Sequence, residues 1–295
     1  MSEWVVVVAG SGVIVWLLWR RHVEVQRIAR GDFEGAAVDD ILHVLWNEYV
    51  QGHVEPEWLA RLPKGKPGLN GQNQLVCLEV AAGRYQEALA WRDRKPGVIA
   101  EHERLITLNL AEALACLGRL EESLALTSFG AEVQTDFLKA GLAAHRAWVL
   151  AELGRFAEAR AELTAMEGKQ RLLGPFEAEW YFSSFAVALA AKDWALAERE
   201  LERAARVAVR GSTKRNLHFL RGRLDFARGD LEAACRHFEA GAAHAYRWQG
   251  GPSLLEWGEA LERLGRVSEA RTAWQWCVER DPQSPAAKMA RVRLG

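Results

Sequence analysis

The sequence predicts an all-α protein, a solenoid of stacked helix–turn–helix units preceded by one membrane-spanning helix. Three observations carry this prediction. A six-residue phrase recurs six times at a nearly constant period, proline is scarce (8 of 295 residues), and residues 4–19 form an apolar run without a single charge. A repeat too small to bury its own apolar face must stack on its neighbours, and a helical phrase repeated at this period builds an elongated array.

The repeat comes first because it settles most of the chain. GRYQEA at 83–88 is followed by GRLEES at 118–123, GRFAEA at 154–159, KDWALA at 192–197, GDLEAA at 229–234 and GRVSEA at 265–270. Successive copies start 35, 36, 38, 37 and 36 residues apart. Each phrase reads as a turn between two helices. Its glycine, or Lys192 in the fourth copy, closes the preceding helix in a backbone region that favours glycine. The residue two places on (Tyr85, Leu120, Phe156, Trp194, Leu231, Val267) is expected to wedge between the paired helices. The small residue five places on (Ala88, Ser123, Ala159, Ala197, Ala234, Ala270) lets the helices approach closely. Apolar residues spaced by three, such as Ala147, Leu150 and Leu153, precede the turn as a helical stripe.

These residues resemble the tetratricopeptide-repeat family, over about residues 69–282. The resemblance is strongest in WGEALERLGRVSEARTAWQWCVERDP at 257–282, with Gly258, Gly265, Ala270, Trp274 and Pro282 in the family's positions. Copy five carries Gly222, Gly229, Ala234 and Phe238. Copy four departs from the pattern, with no turn glycine and with Phe185 at the small position, so its helix pair is expected to splay. The resemblance implies a right-handed α-solenoid whose first helices line a concave groove for a protein or peptide partner. Carried over by the turn register, that groove presents Asn73 and Cys77, then Leu108, Asn109 and Glu112. His145 and Trp148, Phe182, then Asn216, Phe219 and Arg223 follow, and Glu259 and Glu262 end the series. Of these, Asn73, Asn109, Trp148, Phe182, Phe219 and Arg223 are the expected partner-binding residues; the alternative for Trp148, Phe182 and Phe219 is that they fill the inter-repeat core.

The N-terminal run reads as a membrane anchor. Nine large aliphatics between Val5 and Leu18 supply about −3 to −5 kcal/mol toward insertion. Sixteen helical residues span about 24 Å, a little short of a hydrocarbon core, and Trp4, Trp16, Trp19, Arg20 and Arg21 suit the interfaces. Arginines 20, 21, 27 and 30 after the run place the repeats in the cytoplasm. A cleavable leader would carry its positive charge before the run, where Glu3 stands. A dinucleotide-binding loop after VVVVA would need a glycine in place of Val15 and a βαβ pattern behind it. A buried helix is the remaining alternative.

Four segments result: the anchor (1–22), a degenerate half-repeat and Gly/Pro-rich loop (23–68, with GDFEGA at 31–36 echoing the phrase), the six repeats (69–282) and a capping helix (283–295). One span, an arginine pair and then repeats is an order similar to lipopolysaccharide assembly protein B, placing the chain at a bacterial inner membrane. The paired cysteines of that family's rubredoxin-like metal domain do not occur in these residues.

Composition and motifs exclude several functions. A net charge of −1 is unlike the basic excess of nucleic-acid binders. Four isolated cysteines (Cys77, Cys116, Cys235, Cys277) form no metal or disulfide pattern. His102-Glu103 lacks the second histidine of a zinc-protease helix, since position 106 is Ile106. Cys235, His237 and His244 do not share a helical face. Neither a phosphate loop nor a nucleophile elbow occurs. No catalytic residue, metal or cofactor is expected, and the chain reads as a non-enzymatic adaptor or, alternatively, a self-assembling solenoid. From Arg206 to Arg223 the basic residues (206, 210, 214, 215, 221, 223) run without an acidic one, as an acidic-segment dock or a solvated face.

Overall fold

The recurring phrase becomes, in all six copies, a helix C-terminus of one geometry. A computed structural model describes residues 23–29, 32, 34–51, 67–91, 100–128, 133, 135–209, 211–244 and 250–295, and the regular elements among them are all helical. The turn residue has φ of +70° (Gly83), +78° (Gly118), +74° (Gly154), +56° (Lys192), +87° (Gly229) and +78° (Gly265). The amide after it reaches back five residues, as Arg84 N to Glu79 O (2.9 Å), Arg119 N to Leu114 O (2.8 Å) and Asp193 N to Ala188 O (2.9 Å). This pattern satisfies helix-end carbonyls and needs a left-handed residue. Lys192 is the costly case, since a side chain there loses about 1 kcal/mol relative to glycine. Lys192→Gly is therefore expected to stabilise the chain by about that amount, measured as a rise in the urea midpoint.

The helices follow in the predicted order. After helical residues 23–29 come α1 (Val38–Gln51), α2 (Leu69–Ala81) and α3 (Tyr85–Leu89). Copy two is α4 (Ala100–Cys116) and α5 (Leu120–Leu126), copy three α6 (Asp136–Glu152) and α7 (Phe156–Ala165). A 3₁₀ segment (Gln170–Phe176) leads into copy four, α8 (Glu177–Ala190) and α9 (Trp194–Val207). Copy five is α10 (Gly211–Arg228) and α11 (Leu231–Ala242), copy six α12 (Gly251–Arg263) and α13 (Val267–Arg280), and α14 (Pro285–Leu294) follows. The proposed span at 4–19 lies outside the described residues. No helix among the described residues is long and apolar enough to cross a membrane. In the half-repeat the left-handed glycine is Gly35, with α1 starting at Val38, so the helix begins later than the GDFEGA phrase implies.

The rest of the phrase fixes how each second helix begins. In copies two, three and six, which read G-R-x-x-E, the arginine makes a two-pronged ion pair with the glutamate three residues on, whereas Arg84 of copy one turns to Glu79 at 2.8 Å and leaves Glu87 at 4.0 Å. Nε and Nη2 of Arg119 meet Glu122 at 2.7 and 2.6 Å, and the same groups of Arg155 meet Glu158 at 2.7 and 2.6 Å. Arg266 and Glu269 repeat this at 2.8 and 2.6 Å. The glutamate lies in the first turn, where the helix end favours negative charge. Copies four and five replace the arginine by aspartate, whose carboxylate accepts the third amide on: Leu196 N to Asp193 and Ala233 N to Asp230, both 3.0 Å. The aspartates thus cap a helix amide directly, whereas the Arg–Glu copies make no side-chain bond to their first amides and place only charge at the helix end.

Packing explains the small positions. Ala88, Ser123, Ala159, Ala197, Ala234 and Ala270 are all 0 % exposed. In copies five and six a glycine of the first helix faces an aromatic of the second: a Cβ at Gly222 would stand 2.6 Å from Phe238, and one at Gly258 2.1 Å from Trp274 Nε1. Copy four exchanges the sizes. Phe185 is fully buried in one cluster with Ala197, Leu201 and Ala204, and α8 and α9 pack along their length rather than splaying. The wedge expectation holds for Tyr85, which is buried, and fails for Phe156 and Val267, which are exposed. A residue in the first turn of the second helix sits at the outer end of the pair, and Tyr85 is covered by a distant segment. The terminal helix α14 packs on α12 and α13 as a cap.

That distant segment is the end of copy six, which returns to the start of the array. Tyr85 Oη donates to Asp281 Oδ1 at 2.9 Å, across 196 residues. Gln86 N donates to Gln283 Oε1 (2.9 Å) and Gln283 Nε2 to Glu87 (3.0 Å). Pro285 sits against the Gly118 turn of copy two. The solenoid therefore bends until its last repeat touches its first.

Candidate functional site

First helices of successive copies touch one another directly, α2 with α4, α4 with α6, α6 with α8, α8 with α10 and α10 with α12. They form one continuous wall, and the array curves toward it. This wall is the candidate site.

At one end stand two amides. Asn109 Nδ2 donates to Asn73 Oδ1 at 2.9 Å, joining α4 to α2, and both side chains are half-buried. At the other end Arg223 Nε meets both Glu256 oxygens at 3.1 Å, joining α10 to α12. Their side chains keep 24 % and 22 % exposure. Glu256 draws the Arg223 pKa upward, with Glu152 of α6 adding to the effect. Burial raises the Glu256 carboxyl, against the pull of Arg223. Glu259 and Glu262 approach Arg293 of α14 at 3.9 and 3.3 Å.

The middle of the wall is more buried than the register implies. Phe219 is 3 % exposed; its ring fills the spaces left by Gly241 and Gly250, where a Cβ would lie 2.4 and 2.7 Å from it. It is a core residue and not a groove anchor. Trp148 and Phe182 are half-buried against inter-repeat clusters, with Trp148 edge-on to His145 at 5.9 Å. Leu108 packs with Leu138 and Leu142, and a Cβ at Gly141 would lie 3.4 Å from it. Asn216 accepts from Arg215, and Cys77 is partly buried beside the α1–α2 cluster. Sequence reasoning missed Glu256 and Glu152. Both follow from the curvature, which no local pattern announces.

The basic run disperses. Arg206 and Lys214 are exposed, Arg215 is 2 % exposed with its guanidinium 5.3 Å from the Phe219 ring centre, and Arg223 is paired. Arg210 lies outside the described residues. Cys235 is buried in the last core cluster, while His237 faces Asp225 at 3.6 Å. All four cysteines are free thiols.

Two buried titratable groups lie within the walls. His145, on α6, is 9 % exposed and lies 2.8 Å from Ser123 Oγ, which itself sits 2.8 Å from Ala111 O. The single hydroxyl proton serves the carbonyl, so His145 Nε2–H donates to the hydroxyl. Burial, with Arg146 adding, lowers its pKa to about 4. Glu79 on α2 is 7 % exposed and 2.8 Å from Arg84; burial outweighs that arginine and raises its pKa to about 7. The signs oppose. A lowered histidine makes the unfolded chain bind the extra proton, so stability is lost as pH falls from 6.5 toward 4. A raised carboxyl makes the folded chain bind it, so stability is lost as pH rises from 4.5 toward 7. Between pH 7.5 and pH 5, His145→Gln should gain about 2 kcal/mol on the wild type and Glu79→Gln should lose about 2 kcal/mol. Urea denaturation at the two pH values checks both signs.

Residues 77–169, from within α2 to beyond α7, match the family model described as the tetratrico peptide repeat. No curated protein matches the chain. The family match over copies one to three, continued by the same turn through copies four to six, supports a tetratricopeptide-repeat protein.

Proposed function

We propose that the chain is a non-enzymatic scaffold that holds a protein or peptide partner on the wall of its first helices, tethered to a membrane by residues 4–19. Repeats of this family generally mediate protein–protein interaction. One observation carries the reading: an unbroken wall with an amide pair at one end (Asn73, Asn109) and a partly exposed ion pair at the other (Arg223, Glu256). Side chains of these types fix an extended or helical peptide by directed hydrogen bonds, with half-buried Trp148 and Phe182 offering apolar contact between them. The tether rests on the uncharged apolar run and its following arginines, which also favour cytoplasmic repeats at a bacterial-type inner membrane.

Site-specific photocrosslinking tests this in native membranes. A crosslinker at Asn109 or Arg223 is expected to capture one protein species that a crosslinker at the outward residue Glu198 does not. Equal capture from both faces would contradict the assignment. Alkaline extraction should leave the full chain in the membrane pellet and release a chain lacking residues 1–22. A second reading, end-to-end self-association, is favoured by Met289 and Val292, which α14 exposes at 54 % and 81 %. A concentration-dependent mass in sedimentation would support it, and a constant one would dismiss it.

A further inference from the structure

Helix α1 does not behave as a simple neighbour of copy one. It packs on α2, as the element before a repeat must, and it also reaches α10 of copy five. Its Trp46 stacks on Phe176, just ahead of α8, with ring centres 5.8 Å apart and planes 21° apart. Copies two to four separate α2 from α10 along the chain, so a helix touching both lies across the inside of the curve. Its burial agrees. Ile41, Leu42 and Leu45 are 0 % exposed and Val44 4 %. With half-buried Val38 and Trp46, these residues cover more than half of the helix circumference, against the narrower stripe of a helix packed on one side. Asp39 anchors the start by accepting Gly68 N at 3.0 and 3.1 Å, which also caps α2.

We propose that α1 is an intramolecular strap across the inner wall, and that the partner presents an amphipathic helix of the same chemistry that takes its place. The inference rests on the scaffold reading above and names its regulation. The strap sets what the competitor must carry: an acidic first turn like Asp39-Asp40, then aliphatics at the positions of Ile41, Leu42 and Leu45, then an aromatic at that of Trp46. A site filled by its own chain binds an outside ligand in proportion to the fraction of time it is empty. Weakening the strap without touching the wall therefore tightens binding.

The test uses the full chain and a fluorescent peptide of residues 38–51, VDDILHVLWNEYVQ. Trp46→Ala and Leu42→Ala change the strap alone. Both are expected to bind the peptide at least tenfold more tightly than the wild type, with unchanged far-UV circular dichroism. Equal binding by wild type and variants, or none by any, would overturn the proposal. Hydrogen exchange on the wild type decides the case where a variant unfolds. Amides of α1 should exchange through an opening that leaves α12 and α13 protected, and exchange only through global unfolding would overturn it. If crosslinking at Asn109 still captures a partner while α1 stays protected, the scaffold reading stands and the strap alone fails.

Discussion

Replacing Asp281 with alanine is expected to destabilise the chain through two contacts at once. Its carboxylate, 3 % exposed, accepts the Tyr85 hydroxyl at 2.9 Å and the Gly251 amide at 3.0 Å. Each buried donor left unpaired costs about 1–3 kcal/mol. Tyr85→Phe removes one donor, keeps the carboxylate on Gly251 N and costs about 1 kcal/mol. The double variant should therefore cost less than the sum of the two, because the phenol is no longer stranded. Urea denaturation of the four proteins measures the coupling. An Asp281→Ala variant within half a kilocalorie of the wild type would mean that the first and last repeats do not meet.

Gly258→Ala is the second large effect. Its new methyl would stand 2.1 Å from Trp274 Nε1, which is 3 % exposed and donates to Leu255 O at 3.4 Å. The pair has little room to open, since α11 packs on α12 and α14 packs on both α12 and α13. Overpacking of this kind costs about 1–3 kcal/mol. Copy four shows the remedy, with a large Phe185 on the first helix and a smaller Leu201 on the second. Gly258→Ala with Trp274→Leu is therefore expected to regain part of the loss. A single variant as stable as the wild type would show that the pair is looser than described.

The repeat was legible because its cause is local. A left-handed residue, a charged residue after it and a small residue five places on recur wherever two helices must turn and touch. Lys192 and Asp193 kept that pattern readable in copy four even without the glycine. The site was legible where the register brings together side chains of neighbouring copies, even where their positions differ by one, ten residues before Gly83 for Asn73 and nine before Gly118 for Asn109. Asn73 and Asn109 lie 36 residues apart and bond directly. Phe219 failed because the register says which way a residue faces along an idealised helix, while two glycines, Gly241 and Gly250, opened a space behind it. They lie 22 and 31 residues beyond Phe219, in the next helix and the loop after it, out of reach of any local pattern. The closure was not legible at all. Tyr85 and Asp281 are joined by the accumulated curvature of six copies, a sum of small rotations that no single copy encodes.

The curvature is also the claim on which the rest depends, and it can be measured in place. The full chain carrying cysteines at Gln86 and Gln283, with its own four cysteines replaced by serine or alanine, should form an intramolecular crosslink with a short thiol-reactive reagent. The product should migrate as a compact monomer at every protein concentration. An open array would leave this pair uncrosslinked while a control pair at Asn73 and Asn109 still reacts, and that result would contradict the closed solenoid.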